Sequence, residues 1–240
     1  MEKIRIVSAP DNSKPFVVIY KPSGLASAPL NAQDKENALF QAIELFPEIK
    51  NVHGKKEIEA GLLHRIDTAT SGLLLIATEQ EFYDKLLEEQ HSNNFIKYYR
   101  ATCAVLKNQG EGFPECGRFA TIKEGEEFGV ESYFRYFGKG NKEVRPVLQN
   151  ASKTILKKIG KLKLYKTNVK ILKTTEENVE VMCSITQGFK HQVRCHLAWC
   201  GLPIIGDKVY NPNATENDKF MFEACGLEFE YKGKKYNFGI

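Results

Sequence analysis

The 240-residue chain lacks any apolar run approaching the roughly 20 residues that a membrane-spanning helix requires. Its opening residues, MEKIRIVSAPDNSKPF, lack the apolar segment of a signal peptide. A cytoplasmic location is therefore expected, with no membrane partner. None of the six cysteines forms a CxxC pair, which argues against zinc-ribbon and thioredoxin-like chemistry. In a chain without an export signal they are expected to be reduced and to serve as small core residues. There is no internal repeat, no low-complexity tract and no proline- or serine-rich linker. The missing linker favours a single domain over residues 1–240, and a monomer with no obligate protein partner is expected.

What is present is ordinary in amount and uneven in distribution. Hydrophobic residues at 42% and charged residues at 27% are typical of a soluble globular protein. A chain of this length can bury a core without disulfide or metal support. The net charge of +4 is too mild to imply a polyanionic partner by itself. Residues 150–175, however, hold eight lysines and no acid: Lys153, Lys157, Lys158, Lys161, Lys163, Lys166, Lys170 and Lys173. Lys161-Leu162-Lys163-Leu164 alternates as a half-buried strand does, which suits a solvated face. A phosphate-contacting stripe is the competing reading, and charge alone does not separate the two.

Periodicity and turn residues give an outline of the elements. Phe16-Val17-Val18-Ile19-Tyr20 reads as a strand, followed by the turn residues Lys21-Pro22-Ser23-Gly24. Residues 37–46 have helical spacing, with Leu39, Ile43 and Phe46 on one face and Pro47 as the stop. Residues 73–77 read as a buried strand, 79–90 as a helix with Phe82, Leu86 and Leu87 inward, and 98–106 as a strand. Residues 108–150 are the least readable, with a strand candidate at 132–137. Strands are expected over 162–172 and 178–185, a helix over 193–200 ended by Gly201, and a closing hairpin at 227–231 and 235–238. Strands in succession with a few helices between them predict an α+β fold with a mixed, largely antiparallel sheet.

The densest concentration of chemistry is His64-Arg65-Ile66-Asp67, followed by Thr68-Ala69-Thr70-Ser71-Gly72-Leu73-Leu74-Leu75-Ile76-Ala77. A carboxylate and an arginine stand in a polar turn just before a strand, whose rigid end can hold a carboxylate for chemistry. Taken alone, Asp67 is more often an aspartate bonding its own turn. Arg194 alone is more often a solvent-facing helix residue, and Tyr99 alone a core aromatic. A Ser71, His191 and Asp67 hydrolase is a poor reading, because Ser71 lacks the GxSxG elbow.

The stretch from His64 resembles the HRLDxxTSGLLL motif of the RluA-type pseudouridine synthases, with isoleucine for leucine as its one departure. Three further segments are similar to that family in order. They are the strand ending in Lys21-Pro22-Ser23-Gly24 (KPxG), Lys97-Tyr98-Tyr99-Arg100-Ala101 (KxYxA), and the run Gly188 to Leu197 continuing through Gly201-Leu202-Pro203-Ile204-Ile205-Gly206-Asp207 to Tyr210. The resemblance implies a pseudouridine synthase fold, α+β with flanking helices and a central catalytic cleft. It implies isomerisation of uridine in structured RNA, transfer or ribosomal, with no metal and no cofactor because no redox step occurs.

By position, Asp67 inherits the catalytic carboxylate, acting as nucleophile or as base toward a ribose proton. Arg194 inherits its charge partner, and Tyr99 the active-site tyrosine, with Tyr98 on the opposite strand face. Arg65 inherits the filling of the gap left by a flipped base. Lys21, Lys97 and Lys190 are the other basic residues expected against RNA. His64 is expected to brace its loop. Phe189 stands where the family usually carries arginine, with Lys190 beside it as a shifted source of charge. Some relatives carry an extra N-terminal RNA-binding module, and with the KPxG-like segment beginning at Lys21 none is expected. The alternative is a non-catalytic RNA-binding or RNA-chaperone protein on the same scaffold.

Overall fold

The computed structural model describes residues 2–120, 122–159 and 162–240. It is an α+β fold whose sheet is mixed and mostly antiparallel, as the succession of strands implies. The chain divides into two compact units, residues 1–97 with 223–240, and residues 98–222.

The first unit carries β1 (Arg5–Ser8), β2 (Phe16–Lys21), β3 (Ser71–Ala77), β9 (Phe222–Tyr231) and β10 (Lys234–Gly239). β2 runs antiparallel to both β1 and β3, while β3 meets β9 in parallel. That parallel meeting explains Gly72. A Cβ at this residue would lie 2.2 Å from the carbonyl oxygen of Ala224, so only glycine lets the two backbones approach. β9 and β10 form the expected hairpin, closed by Lys232 and Gly233 at φ of 50° and 75°. Positive φ at both residues is what a tight hairpin turn demands.

Helix α1 (Ala38–Leu45) begins where Asn37 caps it, its side chain accepting from Phe40 N at 2.8 Å. Helix α2 (Gln80–His91) buries Phe82, Tyr83 and Leu86, with Leu87 half-buried at the edge. The core of this unit is largely aromatic: Phe16 stacks on Phe82, and Phe95, Phe229, Tyr231 and Tyr236 pack around them.

The second unit orders its strands β4-β8-β7-β5-β6, from β4 (Ile96–Cys103), β5 (Glu127–Phe137), β6 (Glu143–Val147), β7 (Tyr165–Thr174) and β8 (Val179–Ile185). β4 ends earlier than its sequence suggests, because Ala104 N and Leu106 N bond instead to the carbonyls of Pro203 and Gly201. β5 is longer than the expected 132–137, since its polar first half pairs with β7 and its second half with β6. β6 contains Pro146 and lies last in the order, where a missing N–H is tolerated.

β7 starts at Tyr165, three residues later than expected. Leu162 is 82% exposed, so the alternation read over 161–164 is not a half-buried strand, and Lys161 lies outside the described residues. The true alternation buries Tyr165, Thr167, Val169 and Ile171. The short helix α3 (Lys153–Leu156) precedes it. Helix α4 (Gln192–Trp199) is buried along its whole length and ends at Gly201, which has φ of 79°.

Candidate active site

In the first unit, β2 and β3 pair so that Lys21 faces Gly72, which brings the turn after β2 beside the turn before β3. The two turns are stitched together. Gly24 N donates to Thr68 O at 2.8 Å, Ser23 Oγ to Ala69 O at 2.6 Å, and Ser27 Oγ to Ile66 O at 2.7 Å. Asp67 is half-buried in the second turn, and its carbonyl accepts from Thr70 N at 3.0 Å. Thr70 is buried, and its Oγ1 has no hydrogen-bond partner.

Lys21 is fully buried between these turns. Its Nζ donates to Leu25 O at 2.6 Å, Pro22 O at 2.9 Å and Thr68 O at 3.2 Å. Burial pulls this ammonium down to about 8, while the charge of nearby Asp67 opposes the fall. Lys97 is 4% exposed with Nζ 4.5 Å from the Phe95 ring centre, and burial followed by repulsion from Lys55 brings it down to about 7. Neither presents its ammonium at the surface, and Lys21 ties the two turns together instead.

His64 is neutral. Burial holds it down to about 3, and its Nε2 accepts from Leu75 N at 3.2 Å, so the ring proton sits on Nδ1. It braces the start of the Asp67 turn against β3. Arg65 stands exposed on the outer side of that turn, paired with Glu59 at 3.0 Å.

In the second unit, Tyr99 lies on the buried face of β4 and Tyr98 on the other. Tyr99 stacks on Phe222, ring centres 5.3 Å apart and nearly parallel. Phe222 in turn contacts Phe220 at 5.8 Å, and the guanidinium of Arg194 lies 5.2 Å from the Phe220 ring centre. Tyr99 and Arg194 are thus connected through two rings that no local pattern in the sequence singles out.

Arg194 is 7% exposed on α4 and is gripped by Asp207, Nε to Oδ2 at 2.8 Å and Nη2 to Oδ1 at 2.7 Å. Asp207 Oδ1 also accepts from Val209 N and Tyr210 N. The bidentate fork fixes the plane of the guanidinium. Gly206, with φ of 76°, lets the backbone pass close to Lys219, since a Cβ there would lie 2.3 Å from Lys219 O. The Gly206-Asp207 pair stands within the fourth motif, and that was the available signal for this function of Asp207.

The start of α4 is equally constrained. His191 takes a left-handed backbone and bonds Tyr210 Oη through Nδ1 at 3.2 Å, while Gln192 Nε2 donates to Lys166 O at 2.9 Å. Phe189 stacks on Phe134 at 5.0 Å and packs against Tyr165, so it serves the core of this unit. Lys190 is exposed, with Nζ donating to Asn141 O at 2.9 Å. Asp67 belongs to the first unit, and Tyr99 and Arg194 to the second.

Comparison with known proteins gives a consistent picture. A family model described as RNA pseudouridylate synthase matches residues 15–199. Ribosomal large subunit pseudouridine synthase D of Pseudomonas aeruginosa is 23% identical over 196 residues, covering 81% of this chain and 50% of that protein. The tRNA pseudouridine(31) synthase of Saccharomyces cerevisiae is 27% identical over 214 residues, covering 84% of this chain and 45% of that protein. The chain spans about half the length of these curated relatives. Among solved structures, human RNA pseudouridylate synthase domain containing 1 superposes with a TM-score of 0.67 at 17% identity, covering all of this chain and 83% of that one. This last likeness supports the fold.

Proposed function

Since the chain belongs to the RNA pseudouridylate synthase family, we propose that it isomerises specific uridines to pseudouridine in ribosomal or transfer RNA, with Asp67 as the reactive carboxylate. The observation that carries this reading is the family match over residues 15–199, which includes the Asp67 turn, Tyr99 and Arg194. The reaction breaks the bond between base nitrogen 1 and ribose carbon 1, turns the base, and joins carbon 1 to base carbon 5. A carboxylate serves it either by attacking the sugar or base, or by removing a ribose proton. Both routes need an ionised, oriented Asp67. The motif gives Arg194 the task of pairing with it, and the Asp207 fork supports that task by fixing the guanidinium before RNA arrives.

The Tyr99 ring, backed by Phe222, is suited to stack on an extruded uracil, and its hydroxyl to hold a proton. Exposed Arg65 is suited to fill the vacated place in the RNA stack, exchanging its bond to Glu59 for that contact. Lys190 and the lysines of 153–173 supply the basic surface. In this reading the chain is a single catalytic domain, acts as a cytoplasmic monomer on RNA, and needs no cofactor.

The deciding experiment uses RNA labelled with tritium at uridine carbon 5. Isomerisation releases that tritium to water, whereas a protein that only binds RNA releases none. Absence of release from ribosomal and transfer RNA of cells lacking this gene would overturn the proposal.

A further inference from the structure

Two cysteines outside the chemistry above lie together. The sulfurs of Cys116 and Cys200 are 3.9 Å apart and share a hydrogen bond. Cys200 caps the C-terminal end of α4 and is 2% exposed. Cys116 belongs to the loop between β4 and β5 and is partly exposed, while the other five cysteines are buried.

Backbone contacts hold both partners in place. Trp199 Nε1 donates to Pro114 O at 2.8 Å, Ala120 N to Cys200 O at 2.9 Å, and Phe119 N to Cys116 O at 3.1 Å. The loop is therefore seated on the end of α4 from both sides of Cys116. A disulfide requires sulfurs about 2.05 Å apart, so the pair must close by roughly 2 Å.

The two thiols are chemically unequal. The hydrogen bond with Cys200, then the backbone N–H and charge of Arg118, bring Cys116 down to about 7 despite its partial burial. Its neighbour Cys116 and burial push Cys200 far up. An accessible thiolate beside a buried thiol is the arrangement of an attacking and a resolving cysteine. Cys103, Cys183, Cys195 and Cys225 are all buried and lack this access.

We propose that Cys116 and Cys200 form a redox-active dithiol, a modification site at which Cys116 captures a small-molecule disulfide and Cys200 resolves it. The Cys116 thiolate attacks one sulfur of the small disulfide, whose S–S bond breaks and expels one thiolate. That thiolate takes the proton of Cys200. Cys200, now a thiolate, attacks the Cys116 sulfur, forms the internal disulfide and expels the second small thiolate, which takes up from water the proton that Cys116 gave up on ionising. The protein loses two electrons and two protons, and the oxidant gains both. The product clips the β4–β5 loop to the helix that carries Arg194. This inference is independent of the proposed isomerase activity.

The test incubates the full chain with oxidised glutathione near neutral pH, blocks free thiols by alkylation, and maps the cysteines by mass spectrometry. A Cys116–Cys200 disulfide should form ahead of any other linkage. Cys200→Ala should stop at a glutathione adduct on Cys116, and Cys116→Ser should leave Cys200 unmodified. A wild-type map in which Cys116 stays a free thiol, or keeps its glutathione adduct without resolving, overturns the proposal. That map decides the matter even if a variant fails to fold.

Discussion

At the residue scale, the two carboxylates Asp67 and Asp207 have opposite settings and should fail differently. Asp67 is half-buried in a turn, so Asp67→Asn preserves shape while an amide neither attacks carbon nor accepts a proton at neutral pH. Tritium release should fall at least about a hundredfold, with thermal unfolding unchanged. Turnover above about a tenth of wild type would reject Asp67 as the reactive group. Asp207 is buried with two charge-assisted bonds to Arg194, so Asp207→Asn should lower both stability, by about 3 kcal/mol, and turnover. Arg194→Ala should be nearly as damaging to turnover as Asp67→Asn. Arg194→Lys should recover little, since an ammonium cannot fill a planar fork. Urea unfolding and single-turnover kinetics on these variants separate the two effects, and full activity in Arg194→Ala would exclude its pairing with Asp67.

At the element scale, the lysine-rich stretch divides into parts with different expectations. Lys153, Lys157 and Lys158 are exposed on and just after α3, whereas Lys170 on β7 is already paired with Glu127 at 2.8 Å. Lys163 bonds Gln187. Replacing Lys157, Lys158, Lys161 and Lys163 by glutamine should weaken RNA binding. It should also flatten the log-affinity against log-salt slope by roughly 0.7–0.9 for each RNA phosphate that is no longer neutralised. The chemical step at saturating RNA should stay unchanged. Wild-type affinity and slope in this variant would make the stretch a solvated surface. Elements with a clear period or a clear stop, such as β2, β3, α1 and α4, were legible in the sequence. β1 and β6 were not, because β1 has no alternation and Pro146 breaks the pattern of β6. Among site residues, Asp67, Tyr99 and Arg194 stand in motifs that a single chain displays. Phe220 and Phe222 gain meaning only through Tyr99 and Arg194, which are distant in sequence. The burial of Lys21 and Lys97 is not legible in the sequence because lysines are rarely buried, and the carbonyls that hold Lys21 include one from Thr68.

At the scale of the whole molecule, acid should act through two buried imidazoles, one in each unit. Burial holds both His64 and His196 down to about 3, below the ordinary value near 6.5. The unfolded chain therefore binds protons that the folded chain refuses. The stability from neutral burial is complete above about pH 6.5 and is lost as pH falls toward 3, by about 1.4 kcal/mol per pH unit for each histidine. Urea unfolding measured between about pH 4.5 and 6.5 should show this slope, and a flat profile there would mean that the rings are not held neutral. A further consequence concerns the order in which the protein is made. The first unit is assembled from two segments far apart in the chain, residues 1–97 and 223–240, and Phe229, Tyr231 and Tyr236 complete the aromatic cluster begun by Phe16 and Phe82. During synthesis the usual sequence, in which the earlier-made part folds first, is reversed. Residues 98–222 leave the ribosome with all their own strands, while the segment made before them waits for the final hairpin. Emergence of the β9–β10 hairpin, rather than of the segment that carries Asp67, is the event that lets the Asp67 turn settle on a completed core.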